Sequence, residues 1–452
     1  MFPTTTYQAR RATLLANGPQ DGLLVFPTNG ESPINCADNV YPYRQDSTFL
    51  YYTGIQHPGF LLVMDTATGQ TTLYGDDLSL DYIIWMGTQP SVAQRAAQAG
   101  IERHASWQAG VKTIQQAVAS GTPIHYLPPY RAARTEQLAS WLGQSPAQIR
   151  AGVSLSLSKA VIAQRSVKTA EELVEMEKAV NITRKMHHAA REHLAPEQLE
   201  AAIAGLVEGI AISDGGRLAY PCIATINGHI LHNHYHGNRM EAGQLLLLDA
   251  GAAARSDYAG DITRTFPVSG TFTAQQRAIY DLVLRAEAES IAALRPGIRY
   301  LDIHLQAAHT IATGLTELGL MRGDPAAAVA AGAHALFFPH GLGHMIGLDV
   351  HDMEDIGEDL VGYTDELHRS EQFGLRSLRL AKTLEPGYVL TVEPGIYFIP
   401  ALIDRWVAEG RHTDFINYAA LDAYRDFGGI RIEDNVAITE AGYRVLGEPI
   451  IK

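Results

Sequence analysis

Apolar runs of five or six residues alternate with helically spaced ones through the first third of the chain. Gly22-Leu-Leu-Val-Phe26 and Phe60-Leu-Leu-Val-Met-Asp65 read as buried strands, and Thr122-Pro-Ile-His-Tyr-Leu127 as a third. Val92 to Gly100, Ser106 to Ala119 and Arg131 to Leu142 read as helices. Strands alternating with helices predict an α/β domain with a largely parallel sheet. The pattern changes near residues 160–170. Thr169-Ala-Glu-Glu172 forms a capping box, and Leu173, Met176 and Val180 follow at helical spacing. A long amphipathic helix therefore opens a second domain, and the expected division is residues 1–165 and 166–452. Further helices are expected from Thr273 to a stop at Pro296-Gly297, from Tyr300 to Leu320, and over the Ala-rich Pro325 to Leu336. The remaining runs read as strands. The second domain is thus expected to be α+β, a mainly antiparallel sheet covered by helices.

Composition narrows the function classes. A chain of 452 residues with 46% hydrophobic and 19% charged residues is an ordinary globular protein of two or three domains. A net charge of -14 argues against nucleic acid or an anionic membrane as a partner. Two distant cysteines, Cys36 and Cys222, make neither a disulfide framework nor a thiolate zinc site. No apolar signal core and no run of membrane-spanning length is present, so a reducing cytoplasm is the expected compartment.

The chemistry lies in the second domain, at strand ends. Asp249 closes the run Leu-Leu-Leu-Leu, and Asp261 sits in a second strand, Tyr258 to Phe266. Twelve extended residues separate such groups by ~40 Å. They share a site only if Gly251 to Asp257 turns and the strands pair as a hairpin. His340-Gly-Leu-Gly-His344 has the i, i+4 spacing of a zinc helix, but its glycines oppose a helix and point to a strand or loop. His351 follows closely. Glu393 closes the strand Tyr388 to Val392 before Pro394-Gly395. In Ile430-Arg-Ile-Glu433, alternation puts the isoleucines on one face and Arg431 with Glu433 on the other. Four acidic groups and one imidazole suit a pair of divalent ions that activate water. Each group alone reads better as a loop aspartate, a structural histidine or a surface ion pair; the joint pattern points to a metallohydrolase.

These residues resemble the pita-bread metallopeptidases, the group of methionine aminopeptidase, aminopeptidase P and prolidase. The second domain is similar through Ile230-Leu-His232, Asp249, Asp261-Ile-Thr263, His340 to His344, His351-Asp352, Glu393-Pro-Gly and Arg431-Ile-Glu433. The resemblance implies that Asp249, Asp261, His344, Glu393 and Glu433 hold two divalent ions, manganese first, with zinc or cobalt as alternatives. Asp261 and Glu433 would bridge them. Arg431 and Thr263 would support the ligands. The first domain resembles the creatinase/aminopeptidase P amino-terminal domain through Tyr41-Pro-Tyr-Arg-Gln-Asp-Ser-Thr-Phe-Leu-Tyr-Tyr-Thr-Gly54, which implies the Xaa-Pro branch.

Within that branch, Gly374-Leu-Arg-Ser-Leu-Arg379 and the insert after Tyr397-Phe-Ile-Pro400 resemble prolidase. That resemblance implies a dipeptidase in which Arg379 binds the carboxylate of a C-terminal proline, as a guanidinium does bidentately. A metal-activated bridging water would attack the Xaa-Pro carbonyl. Glu393 would shuttle the proton, His351 would polarise the carbonyl oxygen, and His232 and His340 would line the pocket and steady the oxyanion. Tyr220 would meet the substrate's amino end. Trp85 would reach the partner's pocket in a homodimer. The alternatives are aminopeptidase P acting on longer peptides, and an inactive pita-bread binding module.

Overall fold

In the first third of the chain a hairpin sets the sheet. Asp65 N and O pair with Gln70 O at 2.9 Å and Gly69 N at 2.8 Å, and Asp65 Oδ1 caps Ala67 N at 2.9 Å. Gly69 takes the left-handed φ of 69° that this reversal needs. The computed structural model describes residues 2–452. In it, strands Phe60–Asp65 and Thr71–Gly75 are therefore antiparallel, and Leu23–Pro27 pairs antiparallel on the other side. Only the outer strands, Arg103–Ala105 and Ile124–His125, join in parallel. The largely parallel sheet expected from the alternation is thus corrected to a mixed one. A hairpin this tight leaves no room for a crossover helix. Leu23, Val25, Leu61 and Val63 pack against Ile114, Leu138 and Trp141 from the helices Trp107–Ala119 and Ala132–Leu142.

The chain divides into two compact units: residues up to Arg165 with Met353–Gly357, and Ser166–Asp352 with Glu358–Lys452. The second opens on helix Ala170–His193. Its capping box is formed: Glu172 N donates to Thr169 Oγ1 at 3.3 Å, and Thr169 N to Glu172 Oε2 at 3.0 Å. Helix Glu200–Ser213 was read as strand and is helical instead. Its glycines and β-branched isoleucines lower helix propensity. Burial of Ile203, Ala204, Val207 and Ala211 in the core cluster with Met186 and Ala190 outweighs that. Helices Ala274–Ala293, Tyr300–Glu317 and Pro325–Ala331 follow the expected pattern, while Glu354–Gly362 and Pro400–Ala408 are further helices it did not mark. Among the described residues, no helix is long and apolar enough to cross a membrane.

Strand pairing in this unit is antiparallel throughout the described residues. Leu245–Asp249 lies between Ile223–Thr225 and Thr263–Pro267, with Asp249 opposite Thr263. Asp434–Thr439 lies between Val389–Val392 and Gly442–Val445, and Gly395–Tyr397 pairs with Gly429–Arg431. The hairpin needed between the two aspartates is present. Its arms run together through Ala250 N to Ile262 O at 3.2 Å and Gly260 N to Ala252 O at 2.9 Å. Its tip closes with Ala254 N on Tyr258 O at 2.9 Å, and Asp257 there has φ 70°.

A Cβ on Gly251 would stand 1.9 Å from the Gly260 carbonyl oxygen on the facing arm. Gly251→Ala must therefore part the arms. The expected cost is ~2 kcal/mol or more, in the range of backbone-displacing substitutions. Calorimetry should show Tm lower by several degrees, with bound metal reduced because the two aspartates separate.

Candidate metal centre

The five predicted ligand positions converge in the second unit. Asp261, His344 and Glu433 present donor atoms all within 4.8 Å of one another. His344 Nε2 lies 3.3 Å from Asp261 Oδ2 and 3.8 Å from Glu393 Oε1. Tyr220 Oη lies 2.6 Å from Asp249 Oδ1 and 2.5 Å from Asp261 Oδ1. Its one proton is shared between two acceptors and ties the aspartates together.

Main-chain contacts deliver each group. His344 N donates to Thr391 Oγ1 at 3.1 Å, Thr391 N to His344 O at 2.9 Å, and Glu393 N to Leu342 O at 2.8 Å. The glycine-rich loop thus lies along the strand that ends in Glu393. Gly343 is required there, since a Cβ would sit 2.0 Å from Thr391 O. His344 Nδ1 faces Met345 O at 3.0 Å. A carbonyl only accepts, so Nδ1 carries a hydrogen there and Nε2 is the nitrogen that faces Asp261 and Glu393. Asp261 is pinned by Asn435, which accepts from Asp261 N at 2.9 Å and donates to Asp261 O at 2.6 Å. Thr263 Oγ1 donates to Glu433 Oε2 at 2.7 Å. Arg431 donates to Asp249 Oδ2 at 2.5 Å, to Thr263 Oγ1 at 3.2 Å and to Tyr397 Oη at 2.9 Å.

Burial and repulsion disturb the titration of the whole cluster. Burial, then the neighbouring Asp261, Glu393 and Asp249 charges, raise Glu433 well above the carboxylate range. Burial lifts Glu393 to about 7 against the pull of His344 and Arg431. Burial raises Asp249, with Arg431 opposing and Asp261 adding. Asp261 ends below its usual value: burial pushes it up, but its bond to His344 outweighs that. Burial lowers His344, yet Asp261 and Glu393 carry it to about 9. Glu433 Oε1 is buried with no hydrogen-bond partner. A cluster holding this much negative charge, with an orphaned carboxylate oxygen inside it, fits divalent cations.

A cavity of about 440 Å³ opens beside these groups. His232, His340, His351, Tyr220 and Arg379 line it together with the ligand positions. The His351 ring stacks on His344 with centroids 3.9 Å apart. Both His340 nitrogens are engaged, Nδ1 with Gly341 O and Nε2 with Tyr397 Oη, each at 2.8 Å. Burial, with Arg431 nearby, lowers its pKa to about 3, so it stays neutral. Arg379 pairs with Glu358 at 2.8 Å, and its side chain is 36% exposed. Trp85 belongs to the first unit and is 85% exposed on helix Leu80–Met86.

Tyr397, Asn435 and Glu358 were missed. Asn435 carried a signal: it follows Arg431 and Glu433 by twos, so strand parity puts it on their face. Tyr397 carried none, because parity does not carry past the break at Pro394. Glu358 carried none, because its partner Arg379 lies in a distant loop.

Fold and site together define a pita-bread metallopeptidase. Residues 174–440 match metallopeptidase family M24, and residues 7–125 match the aminopeptidase P N-terminal domain. Human Xaa-Pro dipeptidase is 32% identical over 441 residues, covering 94% of this chain and 86% of the relative. Xaa-Pro aminopeptidase of Escherichia coli K12 is 32% identical over 464 residues, covering 99% and 95%. A zinc-substituted E. coli aminopeptidase P in complex with product aligns with a TM-score of 0.81 at 30% identity, covering 100% of this chain and 96% of that one. The chain belongs to metallopeptidase family M24.

Tyr397 is the hinge between His340 and Arg431. Tyr397→Phe keeps the ring and removes both hydroxyl contacts. We expect kcat/KM to fall about 10- to 100-fold, the scale of losing an outer hydrogen bond that supports a metal site, here through Arg431 and its bond to Asp249. Steady-state kinetics with excess metal, beside an unchanged circular-dichroism spectrum, checks this.

Proposed function

We propose that this metallopeptidase hydrolyses the Xaa-Pro bond of dipeptides with a C-terminal proline. The observation carrying this reading is Arg379, a guanidinium on the wall of the same cavity as the carboxylate cluster. A dipeptide places a full negative charge one residue beyond its scissile bond, and a guanidinium suits it. Two divalent ions, manganese first, would supply the positive charge that lowers the pKa of a water and polarises the carbonyl. Asp261 and Glu433 would be shared between them, Asp249 completing one and His344 with Glu393 the other. Glu393, on the wall of the same cavity, would take the water proton and pass it to the proline nitrogen. His351 and His232, which line the same cavity, would face the developing oxyanion. His340, with both nitrogens taken, serves as a neutral wall. Tyr220 sets the two aspartates and borders the space for the substrate's amino end.

Aminopeptidase P activity on longer peptides is the second reading. Its specific support is the Arg379–Glu358 pair, which already shares the charge a substrate carboxylate would need. The two cysteines are unpaired, in keeping with a reducing compartment. A homodimer with Trp85 at the partner's pocket completes the proposal; sedimentation of a fully active monomer removes that part.

Asp261→Asn and Glu433→Gln each remove one charge shared by both ions. Both variants should lose at least one bound ion and nearly all turnover. Metal analysis showing two tightly held ions, with near-normal rates, would remove the ligand assignment; a parent binding no metal would favour a binding module instead.

Arg379→Ala separates the two peptidase readings. Full desolvation of such a pair costs ~2–4 kcal/mol when one partner is truncated, but this guanidinium is partly open and already paired. We expect kcat/KM on Ala-Pro to fall about 10- to 100-fold, with Ala-Pro-amide hardly changed. Equal loss on both, in a protein that prefers longer peptides, makes aminopeptidase P the function.

A further inference from the structure

Behind the carboxylate cluster lies a second set of buried charges that the proposed reaction does not use. Arg264, on strand Thr263–Pro267, is wholly buried. A guanidinium has five N–H donors, and five acceptors meet it here. Nη1 donates to Thr263 O at 2.9 Å and Glu433 O at 2.7 Å. Nη2 donates to Asp434 Oδ1 at 2.7 Å and Ile450 O at 3.4 Å, and Nε to Ile451 O at 3.1 Å. Lys452 Nζ pairs with Asp434 Oδ2 at 2.7 Å and with the buried Glu287. Two cations and two carboxylates thus balance, and none of the four is among the residues lining the cavity.

The connection to the site runs through the main chain. Glu433 N donates to Thr263 O at 3.1 Å, its carbonyl accepts from Arg264, and its Oε2 accepts from Thr263. The Thr263-Arg264 dipeptide therefore sets the position of Glu433, and Ile450–Lys452 sets the direction of Arg264. Without that segment, Nε and Nη2 lose carbonyl acceptors inside a buried space, and Asp434 and Glu287 lose their lysine. A guanidinium left so must turn toward water, taking its hold on the Glu433 carbonyl with it. We propose that Ile450–Lys452 is a positioning element of the metal centre, acting through Arg264 on Glu433. The inference rests on the reading of Glu433 as a metal ligand.

The test uses four proteins stripped of metal: the 452-residue chain, a form ending at Pro449, Lys452→Met and Lys452→Arg. Each is titrated with Mn²⁺ alone by calorimetry, and kcat and KM are read on one Xaa-Pro peptide. The shortened form and Lys452→Met should bind Mn²⁺ about ten-fold or more weakly at one site. Their kcat should fall at limiting Mn²⁺ and recover in excess, with KM within about two-fold. Lys452→Arg, which keeps the cation, should stay near the parent. If the shortened form does not fold by circular dichroism, Lys452→Met decides alone. A folded shortened form or Lys452→Met protein whose Mn²⁺ titration overlays the parent overturns the inference, and so does a loss of their kcat that excess Mn²⁺ leaves in place. A parent that binds no Mn²⁺ removes the metal reading itself and the inference with it, an outcome distinct from the other two.

Discussion

Burying Asp249, Asp261, Glu393 and Glu433 side by side is unfavourable unless positive charge is brought to the same place. Arg431 and His344 supply part of it from the protein. Arg431 is held by Asp249 and Tyr397, and His344 is drawn toward its charged form by Asp261 and Glu393. Two cations cannot balance four carboxylates, and the protein's remaining answer is protonation, visible in the raised Glu433 and Glu393. Divalent ions bound among these groups would take the place of those protons. Metal binding should accordingly release protons and be coupled to folding of the strands that carry the ligands.

Much of this was legible in the chain. A charged residue ending four leucines needs a partner, and Ala-Gly after it allows the chain to return, so Asp249 and Asp261 could be paired before any coordinates. Glycines at 341 and 343 ruled out the helical zinc motif, and the loop they form lies against Thr391 as backbone approach requires. Other features were hidden for physical reasons. Periodicity reports burial of a strand's faces but not the direction of its neighbour, so the mixed sheet of the first unit could not be read. Helix Glu200–Ser213 mixes alanines and glutamates with glycines and β-branched residues, so its type was settled by packing against Met186 and Ala190. Asn435 meets Asp261 across 174 residues of chain, and only the fold brings them together.

The front of the cavity carries a different balance. Arg369 and Arg379 both contact Glu358, and Arg369 also contacts Asp359. The one guanidinium of this group that lines the cavity, Arg379, is therefore already engaged by a carboxylate. Under the dipeptidase reading, a substrate carboxylate arriving at Arg379 would exchange one ion pair for another, and would gain mainly from geometry and from partial burial by its own proline ring. Leu231, Pro339 and His340 line the same cavity.

Neighbouring residues of one strand point to opposite faces, and the second unit uses this at Thr263-Arg264. Thr263 turns to the ligand side, where Glu433 and Arg431 take its hydroxyl. Arg264 turns away, to a buried pocket of carbonyls and Asp434. One dipeptide so carries both the hydrogen bond that orients a candidate ligand and the charge that fixes the chain beneath it. The two faces are not independent, because Glu433 O and Glu433 Oε2 are bonded to adjacent residues. A displacement on the far face moves the ligand's main chain, and the threonine bond then cannot hold the carboxylate at its distance. Both faces of the strand thus converge on the same residue, Glu433, one through its carboxylate and the other through its carbonyl.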